Sequence, residues 1–242
     1  MLALVVSGWL ATMGNVPLWR ALWALPEHSG LRGLLFAAGF AGLIGAATMA
    51  LLSLLAWPRV FKVVASLLLI TAASSTYFML QYGVVIDATM MANVMHTDAR
   101  ETRDLLSWWL ALSLVLIAGI PMIWLFRQKL VERSLWSHAW RNLLAALAAV
   151  VVMLGVLLAS YQDMASLMRN HKDVRYLINP LNALYGVGKL AADQVPRTQQ
   201  VLQPIGEDAR LGASYAAQKK PPIVVLVIGE TARSANFSLG GY

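Results

Sequence analysis

The sequence predicts an all-α membrane domain of five transmembrane helices plus interfacial helices, followed by the first strand of a truncated α/β domain. Of its 242 residues, 59% are hydrophobic and only 13% are charged, which is too little charge to cover the surface of a soluble domain. The apolar residues lie in runs of about 20, the length that spans a bilayer core. Near the end, the uninterrupted β-branched run at 223–228 has the pattern of a strand buried on both faces.

Five apolar segments have the length and composition of membrane spans. The first shows no signal-peptide cleavage site, so we expect it to be retained as a span. Pro121 lies inside the fourth span and is expected to kink it. The predicted boundaries are Met1 to about Val16, Gly33 to Trp57, Val63 to Gln81, Ser107 to Phe126 and Asn142 to Ser160.

Lysine and arginine residues predict the orientation, because cytoplasmic loops of membrane proteins are enriched in both. The loops after the second and fourth spans carry six of them, against four in the loops after the first and third. The six are Arg59, Lys62, Arg127, Lys129, Arg133 and Arg141; the four are Arg20, Arg32, Arg100 and Arg103. The N-terminus is therefore predicted to be cytoplasmic and everything after Ser160 to lie outside. The same topology explains the net charge of +7, and no basic run with interleaved aromatics indicates nucleic acid binding.

Two outer segments combine charges with apolar residues at helical spacing, which predicts helices lying at the membrane surface. Asn179-Pro180 is expected to break the second of them into two pieces. A linker with four prolines follows, at about 193–222. The segments are Asp87 to Leu106 and Gln162 to about Ala192; the predicted domains are 1–160 with an outer loop at 82–106, then 161–222, then 223–242.

Few polar residues in the predicted membrane part indicate a catalytic or metal-binding site. The absence of cysteine excludes disulfides and thiolate metal sites within the chain. His96 and His171 have no spaced ligand partner, so we expect surface roles for them. Asn15 is polar within the first span and is expected to face another helix.

Glu230 follows the predicted strand at its carboxyl end, where ligand sites of open α/β sheets lie. Such a carboxylate is either a metal ligand, a helix cap or a solvated loop charge. The run VIGETARSANFSLGGY at 227–242 resembles the start of the catalytic domain of bacterial phosphoethanolamine transferases, within the alkaline phosphatase and sulfatase superfamily. The run DATMMANVMHTD at 87–98, followed by Glu101, resembles a periplasmic loop of the same family. The most similar branch modifies lipid A and confers resistance to polymyxins such as colistin.

The resemblance implies a zinc-assisted transfer in two steps, from phosphatidylethanolamine to a threonine of the enzyme and then to lipid A. It implies an inner-membrane protein with an alkaline-phosphatase-like domain in the periplasm and Glu230 as a zinc ligand. The nucleophilic threonine is expected beyond Tyr242, so no catalytic residue is expected in this chain and the fragment alone should be inactive. Thr231 is expected to start a helix instead. The expected partners are the two lipid substrates and membrane lipids, without nucleic acid, and we expect the protein to be a monomer.

Asn93, Thr97 and Glu101 are spaced four apart, which would place all three on one face of a single helix. The resemblance implies that this face binds the donor head group, with Tyr82 joining it. Glu101 would pair with the ammonium, and Asn93 and Thr97 would bond phosphate or glycerol oxygens. Two alternatives stay open: Asp98 and Glu101 have capping-box spacing, and Tyr82 fits an aromatic belt.

Several other functions remain compatible with the sequence. The nearest are a related enzyme that transfers phosphoglycerol and one whose acceptor is the lipopolysaccharide core or a glycan. An acidic Glu101 favours an ammonium head group. A non-catalytic scaffold would not need the strand and Glu230, and a transporter subunit is disfavoured because no ionisable residue lies in the middle of a span. Basic residues after the fifth span either contact lipid A phosphates or are ordinary interfacial residues: Arg169, Lys172 and Arg175.

Overall fold

The fold of the chain is all-helical in the part that the structure describes. The structure is a computed structural model, and it describes residues 1–58, 60–130, 134–193, 206–210, 212, 215, 225 and 226, with Ala99, Glu101 and Asp193 described by their backbone only. The chain divides into two compact units, Met1–Arg197 and Thr198–Tyr242. In the second unit, Gly206 has a φ of +81° and its carbonyl accepts a turn bond from Ala209 N. The predicted strand at 223–228 lies mostly outside the described residues and stays a prediction.

Eleven α-helices lie within the described part of the first unit. They are α1 Leu2–Thr12, α2 Val16–Trp23, α3 Gly30–Leu54, α4 Phe61–Tyr82, α5 Ala88–His96, α6 Ala99–Leu105, α7 Trp108–Ser113, α8 Ile120–Arg127, α9 Leu135–Ala159, α10 Tyr161–Asn170 and α11 Leu181–Asp193. Short 3₁₀ segments lie at Met13–Asn15, Pro26–His28 and Val174–Leu177.

Five helical segments are long and apolar enough to cross a membrane, which confirms the number of spans. They are Leu2–Trp23, Gly30–Leu54, Phe61–Tyr82, Trp108–Arg127 and Leu135–Ala159. We refer to the end of the bundle where α1 and α4 begin as the Met1 end, and to the end where α4 finishes as the Tyr82 end.

Two boundaries were predicted wrongly, each for a local reason. The first span does not stop at Val16, because a 3₁₀ turn joins α1 to α2 and Pro17 lies in the first turn of α2, where no N–H is needed. The fifth span begins at Leu135 rather than Asn142, because the Ser134 hydroxyl accepts a bond from Ser137 N and caps the helix. At the end of α4, Gly83 adopts a φ of +64° and closes the helix.

Pro121 disturbs the fourth span as predicted, but the disturbance is spread over the residues before it. A π-helical segment, Leu114–Gly119, separates α7 from α8. Proline has no N–H to donate to the carbonyl four residues earlier, which here is that of Ile117. The indole Nε1 of Trp9 donates to this carbonyl over 2.9 Å. This hydrogen bond therefore links the first span to the fourth at the carbonyl for which Pro121 offers no N–H.

The segment after the fifth span packs onto the bundle. Met164 and Leu167 of α10 and Val174 of the following 3₁₀ turn are buried in a cluster with side chains of α2 and α3. The Asn179-Pro180 peptide then separates this turn from α11, which confirms the predicted break, but the segment has three helical pieces rather than two because α10 already ends at Asn170. The residues expected at the membrane surface thus belong to the same compact unit as the spans.

Candidate functional site

A buried asparagine pair positions α11 at the Tyr82 end of the bundle. Asn15 is fully buried between α1 and α2, and its Nδ2 donates to the carbonyls of Leu10 and Asn179, each over 2.8 Å. The Asn179 backbone N donates in return to Asn15 Oδ1 over 2.8 Å. Asn15 was expected to face another helix, but its distant partner is Asn179 in the connection between the 3₁₀ turn and α11. The Asn15 side chain thus pairs with both the backbone N–H and the carbonyl of Asn179. Asn179 is itself fully buried, so these groups would otherwise have no partner.

Helix α11 in turn holds the segment that carries α5. Asn182 Nδ2 donates to the carbonyl of Ile86 and, over 2.9 Å, to that of Tyr176. Gly186 faces α5, and a Cβ atom added there would lie 3.1 Å from Met91 Cγ and 3.2 Å from the Asp87 carbonyl. The two helices therefore approach closely because Gly186 has no side chain. The candidate donor-site segment is thus anchored through α11 to Asn15.

The predicted single helix through Asn93, Thr97 and Glu101 is wrong. Helix α5 ends at His96, Thr97 has an extended backbone, and α6 begins at Ala99. The break arises because Asp98 caps a new helix: its Oδ1 accepts a bond from Arg100 N over 2.8 Å. The cap that the capping-box spacing predicted at Asp98 is therefore present. Asn93 and Glu101 lie on two different helices, not on one shared helical face.

The side chains of this segment differ in what they can offer a ligand. Asn93 is exposed, and its amide makes no hydrogen bond to any residue that the structure describes. The Thr97 hydroxyl donates to the Asn93 carbonyl over 2.8 Å. Because this bond uses its only proton, Thr97 can still accept a hydrogen bond but cannot donate one to a phosphate oxygen. Glu101 lies in the first turn of α6, and its side chain is outside the described part.

Tyr82 belongs to an aromatic cluster at the end of α4. Its ring stacks on Phe78, with centroids 5.8 Å apart, and meets Tyr77 edge-on at 6.1 Å. The Tyr77 hydroxyl lies 2.6 Å from Ser107 Oγ, which also accepts a bond from Leu110 N and so caps α7. The cluster fixes the beginning of the fourth span relative to the end of the third. Tyr82 itself is half-exposed, and in the described part it has no bond to Asn93 or Thr97.

Histidine and acidic side chains do not form a metal site among the described residues, where no group of three or more His, Cys, Asp or Glu is close enough to hold an ion. His171 Nε2 instead lies 3.0 Å from Glu27 Oε1, in the loop between α2 and α3. This hydrogen bond lowers the pKa of Glu27 below its ordinary value. The pair links the turn after α10 to the loop between α2 and α3. Glu230 and Thr231 lie outside the described residues.

The basic residues after the fifth span are exposed. Arg169 and Lys172 point away from the core, and Arg175 stays close to its neighbour Tyr176, with Nη2 2.6 Å from the hydroxyl and Cζ 4.6 Å from the ring centroid. Nothing in these positions distinguishes contact with lipid A phosphates from an ordinary interfacial role.

Replacing Gly186 with valine is expected to displace α5. Filling a position where Cβ alone is 3.1 Å from Met91 forces the helices apart, at a cost of about 1–3 kcal/mol for overpacking. We expect a lower thermal unfolding midpoint in detergent and faster amide exchange across Ala88–His96.

Gly188→Val is the matched control, since it lies on the same helix and a Cβ there meets nothing within 4 Å. It carries the same change in helix propensity without the steric conflict. Equal exchange rates in α5 for both variants would show that Gly186 does not set the distance between the two helices.

Sequence reasoning did not find the residues that assemble this site. The Asn179 backbone bonds the side chain of Asn15, and the Asn182 side chain bonds the backbone carbonyl of Ile86, and no local pattern identifies partners so far away in the sequence. The one usable signal was Asn15, a polar residue within a span that needed a partner somewhere.

Three comparisons relate the chain to known proteins. The family model described as phosphoethanolamine transferase EptA/EptB matches residues 44–195. The chain is 31% identical over 242 residues to phosphatidylethanolamine transferase Mcr-2 of Escherichia coli, covering 98% of this chain and 44% of that protein. It is 34% identical over 203 residues to phosphatidylethanolamine transferase Mcr-1 of Escherichia coli, covering 83% of this chain and 37% of that protein.

The fold is similar to a solved structure, the integral membrane protein lipooligosaccharide phosphoethanolamine transferase A (EptA) from Neisseria meningitidis. The TM-score is 0.73 at 23% identity, and the match covers 85% of this chain and 40% of that one. At this identity the likeness concerns the fold alone. The chain spans less than half the length of the curated relatives that it matches.

Proposed function

This chain belongs to the EptA/EptB phosphoethanolamine transferase family, and from that premise we propose that the full-length protein transfers phosphoethanolamine from phosphatidylethanolamine to lipid A. The observation that carries the proposal is the family match over residues 44–195, which includes three of the five spans in full, the last part of α3 and the whole α5–α6 segment. The added ammonium groups would reduce the attraction of cationic peptides such as polymyxins for the outer membrane.

The proposed location is the bacterial inner membrane, with the Met1 end in the cytoplasm and the Tyr82 end at the periplasmic surface. The chain is a multi-pass membrane protein by its five spans. The excess of lysine and arginine in the loops at the Met1 end supports this orientation. Both lipid substrates would then be approached from the Tyr82 end, where α5 and α6 lie.

We assign the donor head group to the surface formed by α5 and α6. Asn93 has a free amide that can donate to a phosphate oxygen. Thr97 has only lone pairs to offer, which suits the ammonium better than the phosphate or glycerol oxygens that the sequence indicated. Glu101 would pair with the ammonium as a charge-assisted acceptor. Tyr82 lies at the end of the third span and would contact the same lipid from its aromatic cluster.

The phosphoryl transfer itself is proposed to take place outside the membrane part. Zinc would polarise the phosphoryl oxygens and activate a threonine nucleophile. The described residues do not fit a metal site, and Glu230 is the one ligand that we propose from this chain. The contribution of the spans and surface helices is therefore to bind the donor lipid and orient its head group.

Mass spectrometry of lipid A from cells that express the full-length protein tests the proposal. We expect a phosphoethanolamine-sized addition that is absent from cells with the empty vector. An unmodified lipid A, or an addition on a sugar of the lipopolysaccharide core, would contradict the proposed acceptor.

The donor assignment predicts a selective effect of Glu101→Gln. Loss of one charge-assisted hydrogen bond is worth about 1.5–3 kcal/mol, so transfer from phosphatidylethanolamine should fall about 10- to 100-fold in kcat/KM. The matched control is Asp104→Asn, the same charge change on the exposed surface of α6. Equal activity of the two variants, or a wild-type preference for phosphatidylglycerol as donor, would refute this role of Glu101.

A further inference from the structure

A polar cavity lies at the opposite end of the bundle from α5 and α6. It has a volume of about 420 Å³ and lies between the beginnings of α1, α4 and α9 and the end of α3. The residues that matter for its chemistry are Ser53, Trp57, His138, Arg141 and Asn142. We propose that this cavity binds the phosphate of one anionic glycerophospholipid from the leaflet at the Met1 end, with an acyl chain in the adjoining apolar groove.

Two residues that line the cavity each have a polar atom that is buried without a hydrogen-bond partner among the described residues. Ser53 is only 2% exposed, and its Oγ is unpaired among the described residues. The Nε2 of His138 is likewise buried and unpaired in the described part of the chain. Buried polar groups in native proteins almost always have a partner, so these two call for a ligand or ordered water. A hydroxyl and an imidazole N–H are both suitable donors to a phosphate oxygen.

The charge of this end favours an anion. Arg141 lines the cavity, is exposed and can offer its planar fork of donors to a phosphate. Lys62 is engaged elsewhere, since its Nζ donates to the carbonyls of Phe126 and Gln128 over 3.1 and 2.8 Å. Asn142 Nδ2 donates to the Ala56 carbonyl over 3.1 Å and so braces the wall of the cavity. Basic pockets between transmembrane helices are typical head-group sites for anionic lipids.

An apolar groove of about 430 Å³ continues from this cavity along the bundle. It runs between α1, α3 and α9, and Met49 and Ala145 line both spaces, so the two are contiguous. Its walls are mostly small residues, and an added Cβ at Gly8 or Gly42 meets nothing within 4 Å. The groove therefore has room for a flexible chain beside the polar cavity. A single lipid with its phosphate at Arg141 explains the position of both spaces.

Native mass spectrometry of the full-length protein, purified from vesicles of phosphatidylglycerol and phosphatidylethanolamine, tests the site. We expect one retained phosphatidylglycerol. Arg141→Gln should lower its retention about tenfold, as expected for loss of a charge-assisted contact. Gly42→Leu, which fills the groove, should lower it to a similar degree. Two controls should bind as the wild type does: Arg127→Gln, the same charge change outside the cavity, and Gly155→Leu on α9, where a Cβ also meets nothing within 4 Å.

Three results would overturn the proposal. The first is that no phospholipid, or only phosphatidylethanolamine, is retained. The second is equal retention by the cavity variants and their controls. The third is that inorganic phosphate displaces the lipid from the wild type and from the Gly42→Leu variant at the same concentration, because the acyl chain would then contribute nothing. None of these depends on transfer activity, so the outcome is separable from that of the proposed function.

Discussion

Replacing Glu230 with alanine in the full-length protein is expected to reduce phosphoethanolamine addition to lipid A by at least about 100-fold. The reason is the proposed role of its carboxylate as a zinc ligand. Changes in groups that merely orient a ligand typically cost 10- to 100-fold in metal affinity or activity, and loss of a direct ligand should cost more. The measurement is the modified fraction of lipid A by mass spectrometry, together with the zinc content of the purified protein.

Glu207→Ala is the control for this prediction. Glu207 is an exposed carboxylate in the turn after Gly206 and lies outside the run at 227–242 that contains Glu230. Its removal should change neither zinc content nor lipid A modification. Full modification by the Glu230→Ala protein, at an expression level equal to wild type, would show that Glu230 is not an essential ligand.

Replacing Asn15 with leucine is expected to detach α11 from the bundle. Leucine is apolar and of similar size, so the main loss is of the two bonds to Asn179 N and O, which are buried. Leaving each of these groups unpaired costs about 1–3 kcal/mol, or about 2–6 kcal/mol together. Relative to the wild type, thermal unfolding in detergent should begin at a lower temperature. The increase in amide exchange should be larger between Val174 and Leu190 than in α9.

Asn170→Leu provides the comparison, because Asn170 is exposed and, within the part of the chain that the structure describes, its Nδ2 bonds only the nearby Ser166 hydroxyl, over 3.3 Å. It should unfold as the wild type does. If the Asn15 variant kept wild-type exchange across 174–190, the asparagine pair would not be what holds α11 in place. If it lost donor use while keeping its stability, Asn15 would act on the site by another route.

The spans were predictable because the signal for a membrane helix is carried by composition over about 20 residues. The ends were less predictable, because they depend on single capping bonds. Ser134 extends α9 by seven residues beyond the expected start, and Pro17 allows α2 to follow α1. The break at Asn179-Pro180 was correctly predicted, since the residue before proline is disfavoured in a helix.

The candidate site shows the limit of spacing arguments. The interval of four residues between Asn93, Thr97 and Glu101 indicates a shared face only if the helix is continuous. Asp98 is a good N-cap, and it favours starting a new helix over continuing the first one. The hydrogen bonds that anchor α11 to the bundle and to the segment before α5 join residues about 100 positions or more apart, as in the bonds from Asn182 to Ile86 and from Asn15 to Asn179. No periodicity in the sequence encodes such pairs.

The pairing of Asn15 with Asn179 also has a consequence for biogenesis. The two residues are 164 positions apart, and ribosomes add about 5–20 residues per second, so roughly 8 to 33 seconds separate their synthesis. Throughout that interval the nascent first span carries an amide whose eventual partner does not yet exist. Asn15 can reach its final position in the bundle only after the fifth span has been inserted. This part of the membrane domain is therefore among the last to be completed.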